Sequence, residues 1–276
     1  MRSIQGLRHG KDRMTYNQKE MDRLHEILLE MMSDIHETFT SESVDYYVVG
    51  GAAIGLLRND GLVPWDDDID IVFYRKDRGK VQDALLKHLS EKYIVETPNS
   101  RENHKGYLRV VKRNTCLIRS FRDRNDRGIC IELFEMIDVP PKGISRLLID
   151  MVSRNNILFN MAGDYVPRFL IPVCIGMRRI GMSIADRIAS KHSYDLVAPM
   201  NKCFFDEIVP KEVFGTPKEM SIKGHRMMFP EKLDEYLRIV YGDYMSLPPV
   251  ECRMPSYLIL DTEHSWKEYS KDDLKS

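Results

Sequence analysis

Carboxylates crowd the start of an apolar stretch at residues 64–73, which read PWDDDIDIVF. In a β-strand the side chains alternate between two faces, so Asp68 and Asp70 would share a face at a backbone separation of about 6.5 to 7 Å. Ile69 and Ile71 would then point to the opposite face, toward a core. Two like charges on one face cost stability. A hard cation that prefers oxygen ligands, Mg²⁺ or Mn²⁺, would remove that cost.

An acidic run before a strand can also be only a solvated loop end, and the two glycines upstream bear on this choice. Residues 44–49 predict a short buried strand, Gly50 and Gly51 follow it, and residues 52–59 predict a short helix. Glycines let a phosphate approach the backbone closely, and a helix that begins there offers free N–H groups. The combination predicts a phosphate cradle that faces a divalent metal.

The hydrophobic pattern of the whole chain predicts an α+β fold, with a mixed β-sheet and flanking helices. Apolar residues spaced by three and four predict an amphipathic helix over 17–39, with Asn17 as N-cap and Glu20 as its box-like partner. The other predicted elements are strands at 68–74, 106–112, 115–121 and 129–137, and helices at 77–92, 145–161, 168–190 and within 230–250. Strands therefore come first and helices later, which predicts a catalytic core at 1–142 and a mostly helical region at 143–276.

Composition restricts the class of protein. The 276 residues carry a formal net charge of -1, so no global basic field would attract nucleic acid. The five cysteines lack metal-ligand spacing, which favours buried thiols in a reducing compartment. No stretch has the pattern of a signal peptide or a spanning segment, so we expect a cytoplasmic protein, with contact at the inner membrane face as a further option.

An apolar run at residues 169–177, FLIPVCIGM, allows two interpretations. It is shorter than the roughly 20 residues needed to span a bilayer, and Arg178 and Arg179 follow it directly. One interpretation is an ordinary buried helix or a broken helix pair. The other is a basic and apolar patch that rests on a membrane surface.

Three sequence blocks resemble a known family. The string VGGAAIGLLRNDGLVPWDDDIDIVF is similar to the hallmark of the LicD family, a branch of the nucleotidyltransferase fold superfamily that also includes fukutin-related proteins. ICIELFEMIDV resembles a second family strand, and FPEKLDEYLRIVYGDYMSLPP resembles its C-terminal block. The blocks occur in the family's order and span most of residues 48–249, apart from the helical segment between them.

The resemblance implies a catalytic carboxylate trio. Asp68 and Asp70 match the family's metal-binding pair, and Glu132 falls at its third acidic position, where the family more often has Asp. Glu132 would act as a metal ligand or as a base. Its same-face neighbours on the strand, Cys130 and Phe134, predict a mostly apolar setting.

The loop that leads into the strand at 68–74 is named here the acidic loop. The substrate-binding candidates are glycines, cations and residues of this loop: Gly50, Gly51, Arg58, Trp65, Asp67, Arg109, Lys112 and Lys223. Arg58 matches a family arginine and suits a bidentate phosphate contact, or else pairs with Asp66 or Asp67. Trp65 is either a structural wedge or a stacking surface, and Asp67 could instead order its loop. Arg119, His225 and Arg226 are weaker candidates. The family's histidine after Pro-Pro has no counterpart before His264.

The resemblance implies an enzyme that transfers a substituted phosphate group. LicD-like enzymes move a phospho-alcohol such as phosphocholine from a CDP-linked donor to the hydroxyl of a glycan or lipid-linked glycan, and release CMP. Such modification of cell-surface glycans includes lipopolysaccharide and teichoic acid. Two alternatives stay open: a nucleotidyltransferase that moves the nucleotide onto a small molecule or sugar, and a non-catalytic binding protein on the same fold.

Overall fold

A computed structural model describes residues 17–100, 103–121, 127–200 and 207–270. The α-helices are α1 (Gln18–Ser41), α2 (Gly50–Asn59), α3 (Arg78–Leu89), α4 (Ile144–Ala162), α5 (Ile171–Ala189), α6 (Lys211–Phe214) and α7 (Leu233–Tyr241). The strands are β1 (Tyr47–Val49), β2 (Ile69–Tyr74), β3 (Tyr93–Glu96), β4 (Leu108–Lys112), β5 (Cys116–Ile118), β6 (Cys130–Val139), β7 (Leu196–Pro199), β8 (Val209–Pro210), β9 (Lys218–Ile222), β10 (His225–Phe229) and β11 (Ile259–Asp261). The predicted α+β class is confirmed.

The main sheet has seven strands and mixed directions. Its order is β1-β2-β6-β4-β3, and β7 pairs with β6 and β8. Strands β2 and β6 are parallel, whereas the other pairs of this sheet are antiparallel. The ten residues of β6 reach from β4 at one end to β7 at the other, so this strand is the spine of the fold.

Helix α1 packs against α3 and β10 through the face that its sequence predicts. All six of its regularly spaced apolar residues are buried: Met21, Leu24, Leu28, Met31, Ile35 and Phe39. The Asn17 side chain accepts a hydrogen bond from the Lys19 amide at 3.1 Å and donates to Glu20 at 3.2 Å. The predicted N-terminal cap is therefore present, and it fixes where the helix starts.

The unit β1–α2–β2 presents the glycines and the acidic loop at one end of the sheet. Helix α2 begins at Gly50, directly after β1, two residues earlier than predicted. β1 is antiparallel to β2, with Val49 opposite Asp70. The turn from β1 into α2 therefore lies beside the start of β2. Asp68 lies one residue before the strand rather than within it.

The C-terminal half contributes strands that the sequence does not predict. Beyond β7 and β8, β9 and β10 form a hairpin, and β11 pairs with β5. Apolar residues of this half, among them Phe214, Met227 and Leu237, share the main core with α1, β1 and β2. The domain boundary at 142/143 stays a prediction.

Helices α4 and α5 form a hairpin that is joined to the sheet by a small second core. Ile149, Met182 and Ala185 pack there with Ile137 and Val139 of β6. Within the described ranges, every helix falls short of the length or apolar character that crossing a bilayer requires.

The hairpin is also held by one buried arginine. Arg178 donates to the side chains of Asn99 at 3.1 Å and Asn160 at 2.7 Å, and to the His104 carbonyl at 2.8 Å. Burial lowers the pKa of this guanidinium to about 10. Because a buried charge needs such partners, Arg178 fixes α5 to α4 and to the loop after β3.

Thiols are only partly buried. Cys116 and Cys130 are buried as predicted, whereas Cys174 and Cys252 are half-buried, and all four are free. Cys203 lies outside the described residues. Burial raises the pKa of the Cys116 thiol to about 12, which keeps it protonated and unreactive.

Candidate active site

One row across the sheet carries four charged residues. Asp70 lies directly beside Glu132, Glu132 lies opposite Arg109, and Arg109 lies opposite Glu96. Residues that pair directly across neighbouring strands project to the same face. The structure therefore brings Asp70, Glu132 and Arg109 together, as the sequence predicts.

Glu132 lies in a polar setting, so the prediction of a mostly apolar one is wrong. The Tyr107 hydroxyl donates to Glu132 Oε1 at 3.3 Å, and Arg109 Nε lies 3.8 Å from the same oxygen. The prediction considered only Cys130 and Phe134 on the same strand. In a sheet the closest side chains come from the neighbouring strands, and here these are charged.

Arg109 is buried, and its partners are internal. Its Nη1 donates to Glu96 at 2.7 Å, and its Nη2 lies 3.3 Å from Cys130 Sγ. A buried ion pair of this kind is costly to break, so the guanidinium is fixed in place. Arg109 thus supplies a fixed positive charge behind Glu132 rather than an exposed phosphate contact.

Asp68 and Asp67 both accept a hydrogen bond from Arg119. Arg119 Nη2 donates to Asp68 Oδ2 and to Asp67 Oδ1, both at 3.0 Å. Burial raises the pKa of Asp68 well above its usual range, and the charge of Asp70 raises it further. Arg119 alone therefore does not offset the negative charge here, and the pair Asp68 and Asp70 favours a second cation.

Asp67 anchors the C-terminal segment to the acidic loop. Its buried carboxylate accepts hydrogen bonds from the Ser256 amide at 2.7 Å and from the Tyr257 amide at 3.1 Å. The Ser256 hydroxyl donates to it at 2.9 Å. These contacts agree with the alternative in which Asp67 orders its loop, and they leave this carboxylate turned toward protein.

The two glycines are in close contact with two carboxylates. Gly50 has φ +69, a conformation that favours glycine, and a Cβ there would lie 3.0 Å from Asp70 Oδ2. A Cβ on Gly51 would overlap the Asp66 carboxylate. Since α2 begins at Gly50, this carboxylate lies at the helix N-terminus, where the helix dipole favours an anion. The Asp66 carboxylate therefore occupies the position at the glycine turn where the sequence predicts a phosphate.

Two arginines lie near the ring of Trp65. The guanidinium carbons of Arg58 and Arg253 are each 5.8 Å from the Trp65 ring centroid. Arg58 also donates to the Tyr244 carbonyl at 3.1 Å. Burial lowers the pKa of Arg58, and the charge of Arg253 lowers it further. The two cations thus repel each other, and an anion placed between them would relieve that repulsion.

Arg253 is a site residue that sequence reasoning missed. It occurs in the segment after Pro248-Pro249, where the family resemblance predicts a histidine rather than an arginine. The signal was an arginine four residues after that motif. His264, the next histidine, instead contacts Asp261 at 3.0 Å in the segment after β11.

Lys112 is not brought to the site. It is three residues from Arg109 on β4, so it projects to the opposite face of the sheet. There its ammonium lies 5.5 Å from the centroid of the Tyr93 ring. Alternation along β4 therefore separates Lys112 from Arg109, although both were predicted to bind the substrate.

Residues of the β9–β10 hairpin divide between the acidic loop and α1. Lys223, in the turn of the hairpin, lies near that loop, since a Cβ on Gly61 would be 3.4 Å from its Cε. His225 contacts Ser33 of α1 at 2.8 Å, and Arg226 pairs with Glu219 at 3.5 Å. Of these candidates, only Lys223 is placed where it could reach a ligand of the loop.

The carboxylates fit a metal only in part. Within the described ranges, no three Asp, Glu, His or Cys side chains are arranged to hold a metal ion. Asp68, Asp70 and Glu132 therefore do not form a preformed three-ligand site. Mg²⁺ is often held by one or two carboxylates with substrate phosphates and waters completing its shell. Asp68 and Asp70 fit the role of two such carboxylates. Burial is the largest cause of the raised pKa of Asp68, and repulsion from Asp70 is the second, which a bound cation would relieve.

Comparison with protein families identifies the class. Residues 43–142 match the family model described as LicD/FKTN/FKRP, nucleotidyltransferase domain. Residues 43–142 are therefore a LicD-family domain, and the resemblance drawn from the sequence blocks is confirmed. The matched span contains the unit β1–α2–β2 and the row with Asp70, Glu132 and Arg109.

Individual relatives extend the match. The chain is 22% identical to the lipopolysaccharide cholinephosphotransferase LicD of Haemophilus influenzae over 258 residues, which cover 84% of this chain and 94% of that protein. It is 34% identical to an uncharacterized protein of Rickettsia prowazekii over 68 residues, which cover 25% of this chain and 26% of that protein.

Proposed function

We propose that this protein transfers a phosphocholine-like group from a CDP-linked alcohol to a glycan hydroxyl and releases CMP. The observation that carries the proposal is the placement of Asp70 beside Glu132 at the glycine turn, within the family-matched span. The similarity to a lipopolysaccharide cholinephosphotransferase along nearly its whole length supports the choice of donor and acceptor. The predicted cytoplasmic location and the nucleotidyltransferase fold stay predictions.

The acidic pair, through a metal ion, and the arginines would both bind the diphosphate of the donor. We propose that Asp68 and Asp70 hold a Mg²⁺ or Mn²⁺ ion, which when bound supplies positive charge to phosphate oxygens. Arg58 and Arg253 would contact the same diphosphate from the side of Trp65, where their mutual repulsion favours an anion. Phosphoryl transfer depends mainly on such positioning and charge stabilisation.

Glu132 would serve the acceptor. In the proposed step the acceptor oxygen forms a bond to the phosphorus that carries the alcohol, and the bond from that phosphorus to the CMP oxygen breaks. The acceptor proton passes to Glu132, which Tyr107 and Arg109 hold in place. Because Glu96 fixes Arg109, the positive charge beside the Glu132 carboxylate stays in place.

A donor screen tests the proposal. Thermal unfolding is measured with CDP-choline, CDP-ethanolamine, CDP-ribitol and CDP-glycerol, each with and without Mg²⁺. A ligand that binds only the folded state raises the unfolding temperature by mass action, so one CDP-alcohol should stabilise the protein in a Mg²⁺-dependent manner. Absence of any Mg²⁺-dependent shift, with choline, CTP and CMP as controls, would favour a non-catalytic binding protein.

The alternative is a nucleotidyltransferase, the activity after which the matching family domain is described. The two reactions differ in which phosphorus the acceptor attacks. Mass analysis of the product separates them, since an acceptor that gains phosphocholine supports our proposal and one that gains cytidylate overturns it.

Arg253 gives a specific prediction about the donor. Replacing it by Ala should weaken donor binding by about ten- to a hundredfold, because a hydrogen bond to a charged group contributes about 1.5 to 3 kcal/mol. Arg253→Lys should recover only part of the affinity, because it keeps the charge and loses the planar fork. Isothermal titration with the CDP-alcohol found in the screen measures both.

Arg238→Ala is the matched control, since this exposed arginine of α7 pairs only with Asp234 among the described carboxylates. It should leave donor affinity unchanged. Arg253 also donates to the Pro248 carbonyl at 2.8 Å, so urea unfolding of each variant is needed. An Arg253→Ala protein of normal stability and normal donor affinity would remove this residue from the site.

A second prediction separates two roles for Gly51. Gly51→Ala alone should destabilise the protein by about 1 to 3 kcal/mol, because the new methyl group overlaps the Asp66 carboxylate. Adding Asp66→Ala removes the overlapping atoms and should restore stability. If the glycine also serves phosphate approach, the double variant still binds the donor at least tenfold more weakly than Asp66→Ala alone, measured by titration. Equal affinities would mean that Gly51 only accommodates Asp66.

A further inference from the structure

Helices α4 and α5 and their connection expose a large apolar surface, named here the hairpin surface. Its members are Ile144, Leu147, Leu148, Met151 and Leu158 of α4, Phe169 and Leu170 of the connection, and Val173, Met177, Ile180 and Ile184 of α5. Phe169 is 77% exposed and Ile144 is 79% exposed. Most soluble monomers lack apolar patches of this extent, and such patches mark sites of interaction. The interpretation of residues 169–177 as an ordinary buried helix is therefore wrong.

The exposed residues follow helical spacing. Val173, Met177, Ile180 and Ile184 recur at intervals of four, three and four, which aligns them as one stripe along α5. The exposed residues of α4 recur at three, one, three and seven, again along one face. The stripe on α4 runs from Ile144 to Leu158 and the one on α5 from Val173 to Ile184, which correspond to lengths of about 21 Å and about 17 Å.

The hairpin is docked on the rest of the protein, so the exposure of its stripes does not come from a missing contact. The opposite faces of both helices are already occupied by the second core with β6 and by the buried Arg178. Gly181 also allows close approach of the helices, since a Cβ there would lie 3.3 Å from Val152. The hairpin surface is thus a second face of helices whose first face is complete.

The charge around this surface is positive. Residues 142–191 contain eight Lys and Arg residues against three Asp, although the whole chain has a net charge of -1. The three aspartates have partners: Asp150 bonds to Arg146 at 2.7 Å, Asp186 bonds to Arg75 at 2.9 Å, and Asp164 lies 3.6 Å from His104.

Three exposed arginines of the hairpin lack such compensation. Among the described residues, no carboxylate forms an ion pair with Arg168, Arg179 or Arg187. This surface therefore combines aliphatic stripes with a positive charge that an anionic partner would offset.

We propose that the hairpin surface docks on an anionic lipid bilayer. A second copy of the chain is disfavoured, because it would place the same positive charge against itself, and like charges across an interface are costly. Amphipathic helices with basic flanks lie in the interface plane with their apolar face in the boundary between headgroups and acyl chains. Phe169 and the 63% exposed Tyr165 supply aromatic rings of the kind enriched at that depth.

Docking goes beyond the proposed reaction and does not depend on it. The hairpin surface contains none of the residues placed at the candidate active site, so binding to lipid can be measured without donor or acceptor.

Sedimentation with vesicles tests the proposal on the full chain. We expect binding to vesicles of equal parts phosphatidylcholine and phosphatidylglycerol at low salt, and at least tenfold weaker binding to phosphatidylcholine alone. High salt should weaken the binding, because it screens surface charge. Arg168→Gln with Arg179→Gln should lower the partition coefficient about thirtyfold, because each cation near an anionic surface contributes a factor of roughly five.

The apolar part has its own variant and control. Met177→Glu with Ile180→Glu should abolish vesicle binding and leave thermal stability unchanged, because both side chains are exposed. Leu86→Glu, at an exposed position of α3, should bind vesicles normally. Equal binding by wild type and by the Met177 and Ile180 double variant would overturn the proposal. A second result would also overturn it: a wild-type protein that is a dimer in analytical ultracentrifugation, that fails to bind vesicles, and that becomes a monomer in the Ile180→Glu variant. The occupant of the hairpin surface would then be a second copy of the chain.

Discussion

Replacing Asp70 by Asn should abolish transfer while the protein stays folded. The amide keeps the shape of the side chain beside Gly50 but removes the negative charge that a metal ion would bind. We expect turnover to fall by about a thousandfold, the size of the loss when one preorganised electrostatic contact is removed from a transition state. The free energy of unfolding should stay the same or rise by less than about 1 kcal/mol, because a repulsion with Asp68 is relieved.

Release of CMP from the donor, measured over a range of Mg²⁺ concentrations, checks this result together with urea unfolding. The Asp68 carboxylate pairs with Arg119, so Asp68→Asn would also weaken that ion pair. Asp83→Asn, at an exposed position of α3, is the matched control and should keep full activity. Near-normal turnover of Asp70→Asn in Mg²⁺ would show that the metal assignment is wrong.

Glu132→Gln should have the second largest effect, and its pattern identifies the role of this carboxylate. As a base, Glu132 acts only on the acceptor proton, so the variant should lose at least about a hundredfold in kcat, typical of general-base catalysis, and bind donor normally. As a metal ligand, it should raise the Mg²⁺ concentration needed for half-maximal activity, and excess Mg²⁺ should restore much of the rate. We expect the first pattern, because the hydrogen bond from Tyr107 and the positive charge of Arg109 at 3.8 Å hold Glu132 within the row.

Two measurements separate these patterns. Donor affinity is determined by titration at saturating Mg²⁺, and turnover is determined as a function of Mg²⁺ concentration. Glu135→Gln is not a suitable control, since Glu135 is a buried partner of Arg75 and Arg78. Glu91→Gln, an exposed glutamate after α3, is suitable and should behave as wild type. Unchanged turnover and unchanged Mg²⁺ dependence in Glu132→Gln would remove Glu132 from the site.

Much of the fold was predictable where a local pattern dictates it. The spacing of Met21, Leu24 and Leu28 predicts the buried face of α1, and the alternation in β2 predicts which of its residues enter the core. The strands β3 and β7 to β11 were not predicted. They are two to five residues long, and strands that short are stabilised by partners far along the chain rather than by their own pattern.

The candidate site shows the same limit. Alternation along β2 and β6 puts Asp70 and Glu132 on the face opposite to their isoleucine and leucine neighbours, and the pairing of the two strands sets them side by side. Applied to β4, the same alternation puts Lys112 on the face opposite to Arg109, so the two residues could not both face the site. Alternation could not find Arg253, since the approach of this residue to Trp65 depends on how the chain returns to the acidic loop.

That return of the chain has a consequence for how the site assembles during synthesis. The carboxylate of Asp67 is bound by amides of Ser256 and Tyr257, which follow it by 189 and 190 residues. A growing polypeptide cannot form these bonds until both residues have left the ribosome, although α1, β1 and β2 are made long before. The acidic loop therefore acquires this anchor only after the 190 residues that follow Asp67 have been made, and until then a nascent chain carries its carboxylates without that anchor.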